Sequence, residues 1–316
     1  MRGVFARIRG GRDRSFADFL RAQRALSPRT REMALQFVEG FNAAHADRIS
    51  ALAMRDEVDG DDFKQFRIAR GYDSLIGWLR AGLDPERATI RLGTPVAEVE
   101  WRRGNVAVRT ASGEELRASK AIITVPIGVL KSPDAIRFTP ALREKQRALE
   151  HIEVGHVVKL VLRFRERFWD DFNFVHNNDD YFPTWWTAAP VRAPIVTGWA
   201  GGHAADHLLA EGSEAIVGRA LQSLASILGL SRRRVASKLD AAHTHDWQAD
   251  PFSRGAYSYA GVGGSTAYRQ LAKPVANTLF FAGEATSDQT GTVAGAIESG
   301  RRAARQILGH SSRNSR

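Results

Sequence analysis

Leu279-Phe280-Phe281 is a short unbroken apolar run, set between Lys273-Pro274 and Asn277 on one side and Ala282-Gly283-Glu284 on the other. A strand buried on both faces reads this way, and such strands belong to parallel sheets covered by helices. Glu284 then stands where the strand ends, the edge at which open α/β sheets bind ligands. After a polar loop, Thr290 or Thr292 can cap a helix in which Val293, Ala296, Ile297, Gly300, Ala304, Ile307 and Leu308 recur at helical spacing. Gly291 and Gly295 open that helix and would let a flat or anionic ligand approach backbone N–H groups that favour negative charge. Local chemistry leaves two readings open: the cofactor end of an α/β sheet, or a strand, loop and helix that only pack.

The rest of the chain supplies elements of both kinds. From Phe16 to about Ser50 the apolar residues Phe16, Phe19, Leu20, Met33, Leu35, Phe37 and Val38 follow helical spacing, with Ser27-Pro28 as a break and restart. From Thr94 to Val125 the period changes to two. Val96, Val99 and Trp101 alternate, Arg103-Gly104-Asn105 turns the chain, Val106 and Val108 alternate again, and Ser112-Gly113 turns it once more before Ala121–Val125. That pattern predicts a β-meander ending in a buried strand. Thr139-Pro140 reads as a helix start, with a capping hydroxyl and a proline at the first position, running to about Leu149. Strands are expected over His156–Phe164 and Ile195–Trp199, and an amphipathic helix over Glu214–Leu228.

Composition excludes some chemistry. With 316 residues and 43% hydrophobic content the chain can build more than one core. It contains no cysteine, which removes disulfides, thiolate metal sites and a cysteinyl nucleophile. Its net charge of +10 arises from 45 basic against 35 acidic residues spread along the whole chain, the pattern of a solvated surface rather than a nucleic-acid interface. No apolar run of about 18 residues and no signal-peptide pattern is present, so the expectation is a cytoplasmic protein without a membrane span. No His pair or carboxylate–histidine spacing points to metal chemistry, and His243-Thr244-His245 reads as a polar strand edge.

Five stretches carry a resemblance in their order. Arg70-Gly-Tyr-Asp-Ser-Leu75, Gly93-Thr-Pro-Val-Ala-Glu-Val99, Lys120-Ala-Ile-Ile-Thr-Val-Pro-Ile-Gly-Val-Leu130, Gly155-His-Val-Val-Lys-Leu-Val-Leu-Arg-Phe164 and Trp247-Gln-Ala-Asp-Pro-Phe-Ser-Arg-Gly-Ala-Tyr-Ser-Tyr259, together with the closing strand and helix, resemble the FAD-dependent amine oxidase superfamily. That superfamily includes monoamine oxidases, polyamine oxidases and lysine-specific histone demethylases. The resemblance spans roughly residues 70 to 308 and implies an α/β plus α+β fold, in which an FAD-binding Rossmann-like domain interleaves with a mixed-sheet and helical substrate domain. It divides the chain into 1–70, a helical part of the substrate domain; 71–127, an FAD-domain segment; 128–245, substrate domain; 246–310, the C-terminal FAD-domain segment; and a tail at 311–316.

The same resemblance assigns residues. Lys159 matches the lysine that hydrogen-bonds a water next to flavin N5; it lies among Val157, Val158, Leu160, Val161 and Leu162, where a lysine on an inward face is costly unless used. Tyr257 matches an aromatic wall that holds an amine by its ring face. Trp247 and Phe252 are expected on or near the flavin, with ordinary core packing as the other reading. Val96 and Pro126 would act through backbone or shape, Gly283 and Glu284 at the strand end with a hydrogen bond from Glu284 toward the ribityl chain, and Val293 through its N–H. Thr292 stands where relatives carry tyrosine or threonine.

The implied reaction oxidises the C–N bond of a small-molecule amine to an imine, with oxygen reduced to hydrogen peroxide and FAD held otherwise than through a cysteine. One family element is missing: the βαβ unit with G-x-G-x-x-G and its acidic residue roughly 20 positions on. Its absence predicts an exposed apolar sheet edge and an N-terminally truncated oxidase. The alternatives are an L-amino-acid oxidase, which needs a buried arginine for the substrate carboxylate, and a non-catalytic remnant unable to bind FAD.

Overall fold

The computed structural model describes residues 2–58, 68–170, 172–177 and 181–309; the tail expected at 311–316 lies outside them. Two sheets carry most of the strand pairing. In the first, Val96–Arg102, Asn105–Thr110 and Glu115–Ala118 form the antiparallel meander the alternation predicts, and Arg137–Thr139 adds in parallel to Val96–Arg102. The second is a fully antiparallel sheet with spatial order Leu239–His243, Val157–Phe164, Ile195–Gly201, Thr184–Thr187 and Phe174–His176. Two short pairs link the rest: Ile152–Val154 with Ser258–Ala260, and Ala121–Ile123 in parallel with Leu279–Phe281. The end of the meander thus leaves its own sheet and joins the closing strand.

Helices form where caps and periodicity agree. Ser15 and Ser27 accept from the N–H groups of Asp18 and Thr30 at the starts of Phe16–Ala22 and Pro28–Asn42, and Pro28 takes the first position of the second helix. Ser213–Leu228 buries Ile216, Ala220, Leu221, Leu224 and Ala225 against Leu160, Leu162, Trp185 and Val196 of the five-stranded sheet, the largest core among the described residues. Phe5, Phe16, Phe19, Ile49 and Met54 build a second core from the N-terminal helices.

One helix begins later than the sequence suggests. Thr139 pairs with Glu100 as the last residue of a strand, and the helix runs from Arg143 to Leu149 with Leu142 before it. The strand is fixed by Glu98, which accepts from Arg137 and from Arg109. Cross-strand pairing therefore takes the threonine that a local capping rule would have used.

Leu279–Phe281 is buried throughout, as expected. Its partner is not: Ile122 is 38% exposed, and the helix Tyr72–Ala81 buries no residue. Among the described residues these two strands form a sheet of their own, with Ile122 facing outward. Among the described residues no helix is long and apolar enough to cross a membrane.

Candidate active site

The strands Val157–Phe164 and Ile195–Gly201 pair in a register that sets Lys159 directly opposite Trp199. Opposed residues on antiparallel strands share a face. Val158, Leu160, Leu162 and Phe164 enter the core on the other face, so the apolar neighbours of Lys159 point away from it. This corrects the sequence expectation of a lysine on an inward, apolar face: Lys159 is exposed and looks into a cleft.

That cleft has a volume of about 290 Å³ and brings together four of the sequence-predicted residues, Pro126, Lys159, Trp247 and Tyr257. Val157, Trp199, Ser253, Gly255 and Ala256 complete its walls, which contain no carboxylate and no guanidinium. A larger cleft of about 950 Å³ lies against Arg7, Arg9, Arg12 and Arg14 and touches none of the predicted residues.

Trp199 is the residue that sequence reasoning missed. Its ring lies nearly parallel to that of Tyr257, with centroids 6.5 Å apart and 15° between planes. Both rings are anchored by their polar tips: Trp199 Nε1 donates to the Gly40 carbonyl at 2.8 Å, and the Tyr257 hydroxyl donates to the Phe41 carbonyl. The alternation of Ile195, Thr197 and Trp199 marks one strand face, but only the register with Lys159 reveals which face lines the cleft.

The glycine-opened C-terminal helix meets this wall from the other side. Gly291 has φ +70°, and a Cβ there would lie 3.2 Å from the Tyr257 ring. Thr292 caps the helix Val293–Ile307, accepting from the Gly295 N–H at 2.9 Å while donating to the Gln289 carbonyl at 2.9 Å. Its hydroxyl is thus part of the turn. Val293 is 43% exposed at the helix start.

Glu284 stands just past the end of the strand Leu279–Phe281, as expected. Its carboxylate accepts from Ser258 N at 3.2 Å, Ser258 Oγ at 3.0 Å and Gly291 N at 2.8 Å, stitching the strand Ser258–Ala260 to the loop before the helix. Burial pushes its carboxyl up, against the pull of the Gly291 and Ser258 donors. Three donors of the chain's own thus hold the carboxylate in place at this junction. Gly283 secures the same junction, since its N–H donates to Ser299 Oγ at 2.8 Å and its carbonyl accepts from Ser299 Oγ at 3.0 Å.

Trp247 of the wall, and Phe252 and Val96 outside it, meet different surroundings. Trp247 stands at the rim, edge-on to His245 at 4.4 Å, and His245 Nε2 lies 2.8 Å from Asp250. Phe252 is 65% exposed and is not part of the cleft wall. Val96 packs half-buried with Val99, Val106, Leu279 and Phe281, between the meander and the closing strand.

These residues suit the ring end of a flavin. The walls are flat and apolar, and the one ammonium among the described lining residues can hydrogen-bond. For the adenosine end only Val96 among the predicted residues is present, and it is engaged in packing.

Comparison with known proteins agrees with this architecture. The sequence profile of flavin containing amine oxidoreductases matches residues 5–308. Polyamine oxidase 3 of Oryza sativa subsp. japonica is 35% identical over 279 residues, covering 85% of this chain and 54% of that protein. Lysine-specific histone demethylase 2 of Homo sapiens is 31% identical over 295 residues, covering 86% of this chain and 34% of that protein. The chain therefore spans about half the length of the rice relative and less of the human one. Putrescine oxidase bound to putrescine has the same fold, with a TM-score of 0.79 at 21% identity over 94% of this chain and 68% of that one. The chain belongs to the flavin-containing amine oxidoreductase family.

Proposed function

We propose that the cleft between Lys159, Trp199 and Tyr257 is the place where an amine is oxidised at its C–N bond, giving an imine that water hydrolyses, with hydrogen peroxide formed from oxygen. The observation that carries this reading is the convergence of Lys159 with two near-parallel aromatic rings in one cleft. A bound FAD supplies the two-electron acceptor for this chemistry. In this reading Pro126, Trp247, Gly283, Thr292 and Val293 border the FAD, which is held without a cysteinyl bond because the chain contains no cysteine.

The chain's own contributions follow from its chemistry. Trp199 and Tyr257 offer ring faces that attract an alkylammonium by about 0.5 to 2 kcal/mol and then orient the neutral amine by contact. The ammonium of Lys159 holds a water by hydrogen bonding and disfavours a second positive charge beside it, which keeps the reacting nitrogen unprotonated. The apolar walls exclude bulk solvent from the reacting carbon. The rice relative is named a polyamine oxidase and one neighbour holds putrescine, which supports small aliphatic amines as the substrate class.

The L-amino-acid oxidase reading is less well supported, because among the described residues no arginine lines the cleft to receive a substrate carboxylate. Arg254, between the wall residues Ser253 and Gly255 in sequence, donates to Asp134 and to Ser132. Interleaved FAD and substrate domains, with the divisions inferred from the sequence, remain part of this proposal. So does a missing dinucleotide-binding unit, supported by the open apolar edge at Ile122 and the uncovered helix Tyr72–Ala81.

The test is reconstitution. The chain as given and a version extended with upstream coding sequence are purified with FAD and assayed for bound-flavin absorbance and for peroxide released from monoamines, polyamines and amino acids. Amine-dependent peroxide from the extended version is the expected result. Failure of both versions to retain flavin would overturn the enzyme reading.

A further inference from the structure

Beside the cleft, three separate parts of the chain bring metal-ligating side chains together. His45 follows the helix Pro28–Asn42, His156 precedes the strand Val157–Phe164, and Asp206 lies on the helix His203–Glu211. Asp206 Oδ2 is 2.6 Å from His45 Nε2, and its Oδ1 is 2.5 Å from His156 Nδ1. One ligand atom from each of the three residues lies within 4.8 Å of the others.

Burial and orientation distinguish this cluster from a chance surface contact. The His45 side chain is only 6% exposed, whereas His156 and Asp206 are 36% and 37% exposed, so the cluster has a fixed wall and an open side. The remaining ring nitrogen of His45 faces the hydroxyl of the buried Tyr259 at 3.5 Å. A partner on the far nitrogen is what orients a metal-binding imidazole. His203 packs edge-on to His45 at 4.7 Å and has its own Nδ1 2.9 Å from Glu39.

Two imidazoles and one carboxylate form an N/O donor set suited to zinc and its first-row neighbours. Bonds of about 2.0 to 2.2 Å in a tetrahedral arrangement separate ligand atoms by roughly 3.3 Å. Ligand atoms already within 4.8 Å of one another would close to that spacing on binding, with the ion taking the place of the direct histidine contacts to Asp206.

We propose that His45, His156 and Asp206 form a binding site for a divalent first-row transition metal ion, with solvent at the remaining coordination position. The ion would cross-link the N-terminal helical segment, the start of the strand Val157–Phe164 and the helix His203–Glu211. This assignment does not depend on the amine-oxidase reading, because none of the three ligands lines the cleft.

Untagged chain, stripped with a chelator and dialysed, is titrated with Zn²⁺ by calorimetry and with Co²⁺ by visible absorption, and thermal unfolding is followed with and without Zn²⁺. The expected result is one saturable site per chain, a raised Tm that chelator reverses, and affinity reduced at least about tenfold in His156→Ala and Asp206→Asn. His243→Ala should bind as the unaltered chain does. No saturable site, an unchanged Tm, or equal affinity in His156→Ala would overturn the proposal. If a variant fails to fold, the cobalt spectrum of the unaltered chain decides: bands of a nitrogen- and oxygen-ligated ion support the site, and the spectrum of hexaaqua cobalt refutes it.

Discussion

Two amphipathic helices of this molecule have opposite surroundings. Ser213–Leu228 lays Ile216, Leu221 and Leu224 onto a five-stranded sheet and disappears into the largest core. Tyr72–Ala81 carries a comparable apolar face, yet Ile76 and Trp78 stand 61% and 68% exposed. The sequence pattern of the two is similar, so burial is decided by whether a second element is there to receive the face. The antiparallel sheet supplies one for the first helix; the two-stranded parallel pair of Ala121–Ile123 and Leu279–Phe281 is too narrow to do so for the second. The cleft draws on both regions, with Lys159 and Trp199 on the covered side and Pro126 on the uncovered side.

The contrast can be broken most strongly from within the covered core. Trp185 is fully buried, and its Nε1 donates to Phe182 and Ser223, so Trp185→Ala should cost about 3 to 5 kcal/mol in urea unfolding. A loss below about 1 kcal/mol would mean that this half is no better packed than the other. Next in size, Lys159→Met in flavin-loaded protein should slow amine-dependent flavin reduction or reoxidation by on the order of a hundredfold while leaving the unfolding midpoint nearly unchanged. Stopped-flow absorbance separates the two steps.

Glu284 joins the halves. Replacing it with alanine leaves the Ser258 and Gly291 donors without their acceptor, and chemical denaturation should register about 2 kcal/mol of lost stability. Lys145 tests the uncovered half by pH. Its Nζ donates to the carbonyls of Gln270, Leu271 and Lys273, and burial lowers its pKa from 10.5 to about 8. Above pH 8 the folded chain therefore releases this proton before the unfolded chain does, so the contribution to stability rises as pH climbs from 8 to 10.5, by about 1 kcal/mol per pH unit at most. Lys145→Met should remove that slope in unfolding curves recorded across this range. Smallest is Trp78→Ser, for which calorimetry should find a change within about 0.5 kcal/mol. A large destabilisation would show that Tyr72–Ala81 is covered in solution.

Much of this organisation was legible in the sequence because it is set by neighbours along the chain. The meander over Val96–Ala118, the restart at Ser27-Pro28, a cap at Thr290 or Thr292 and the buried run Leu279–Phe281 follow from period, hydroxyls and turn glycines within a few residues of one another. What depends on partners brought from afar was not. Thr139 looked like a cap until its strand found Glu100, and Lys159 looked inward until its register opposite Trp199 turned it toward the cleft. Glu284 was rightly placed at a strand end, but its three donors come from residues 258 and 291. His45, His156 and Asp206 carry no joint signal at all, since they are separated by more than a hundred and by fifty positions respectively.

The anchoring of the two rings has a mechanical consequence. Trp199 lies in the strand Ile195–Gly201 and Tyr257 just before the strand Ser258–Ala260, yet each is tethered to the same final turn of the helix Pro28–Asn42, at adjacent carbonyls. That turn acts as a common mount. A small displacement of it carries both rings along together, preserving the gap between them while moving the pair relative to Lys159. Substitutions far away, on the outer face of that helix, would therefore change where along the cleft an amine is held more than how wide an amine is admitted.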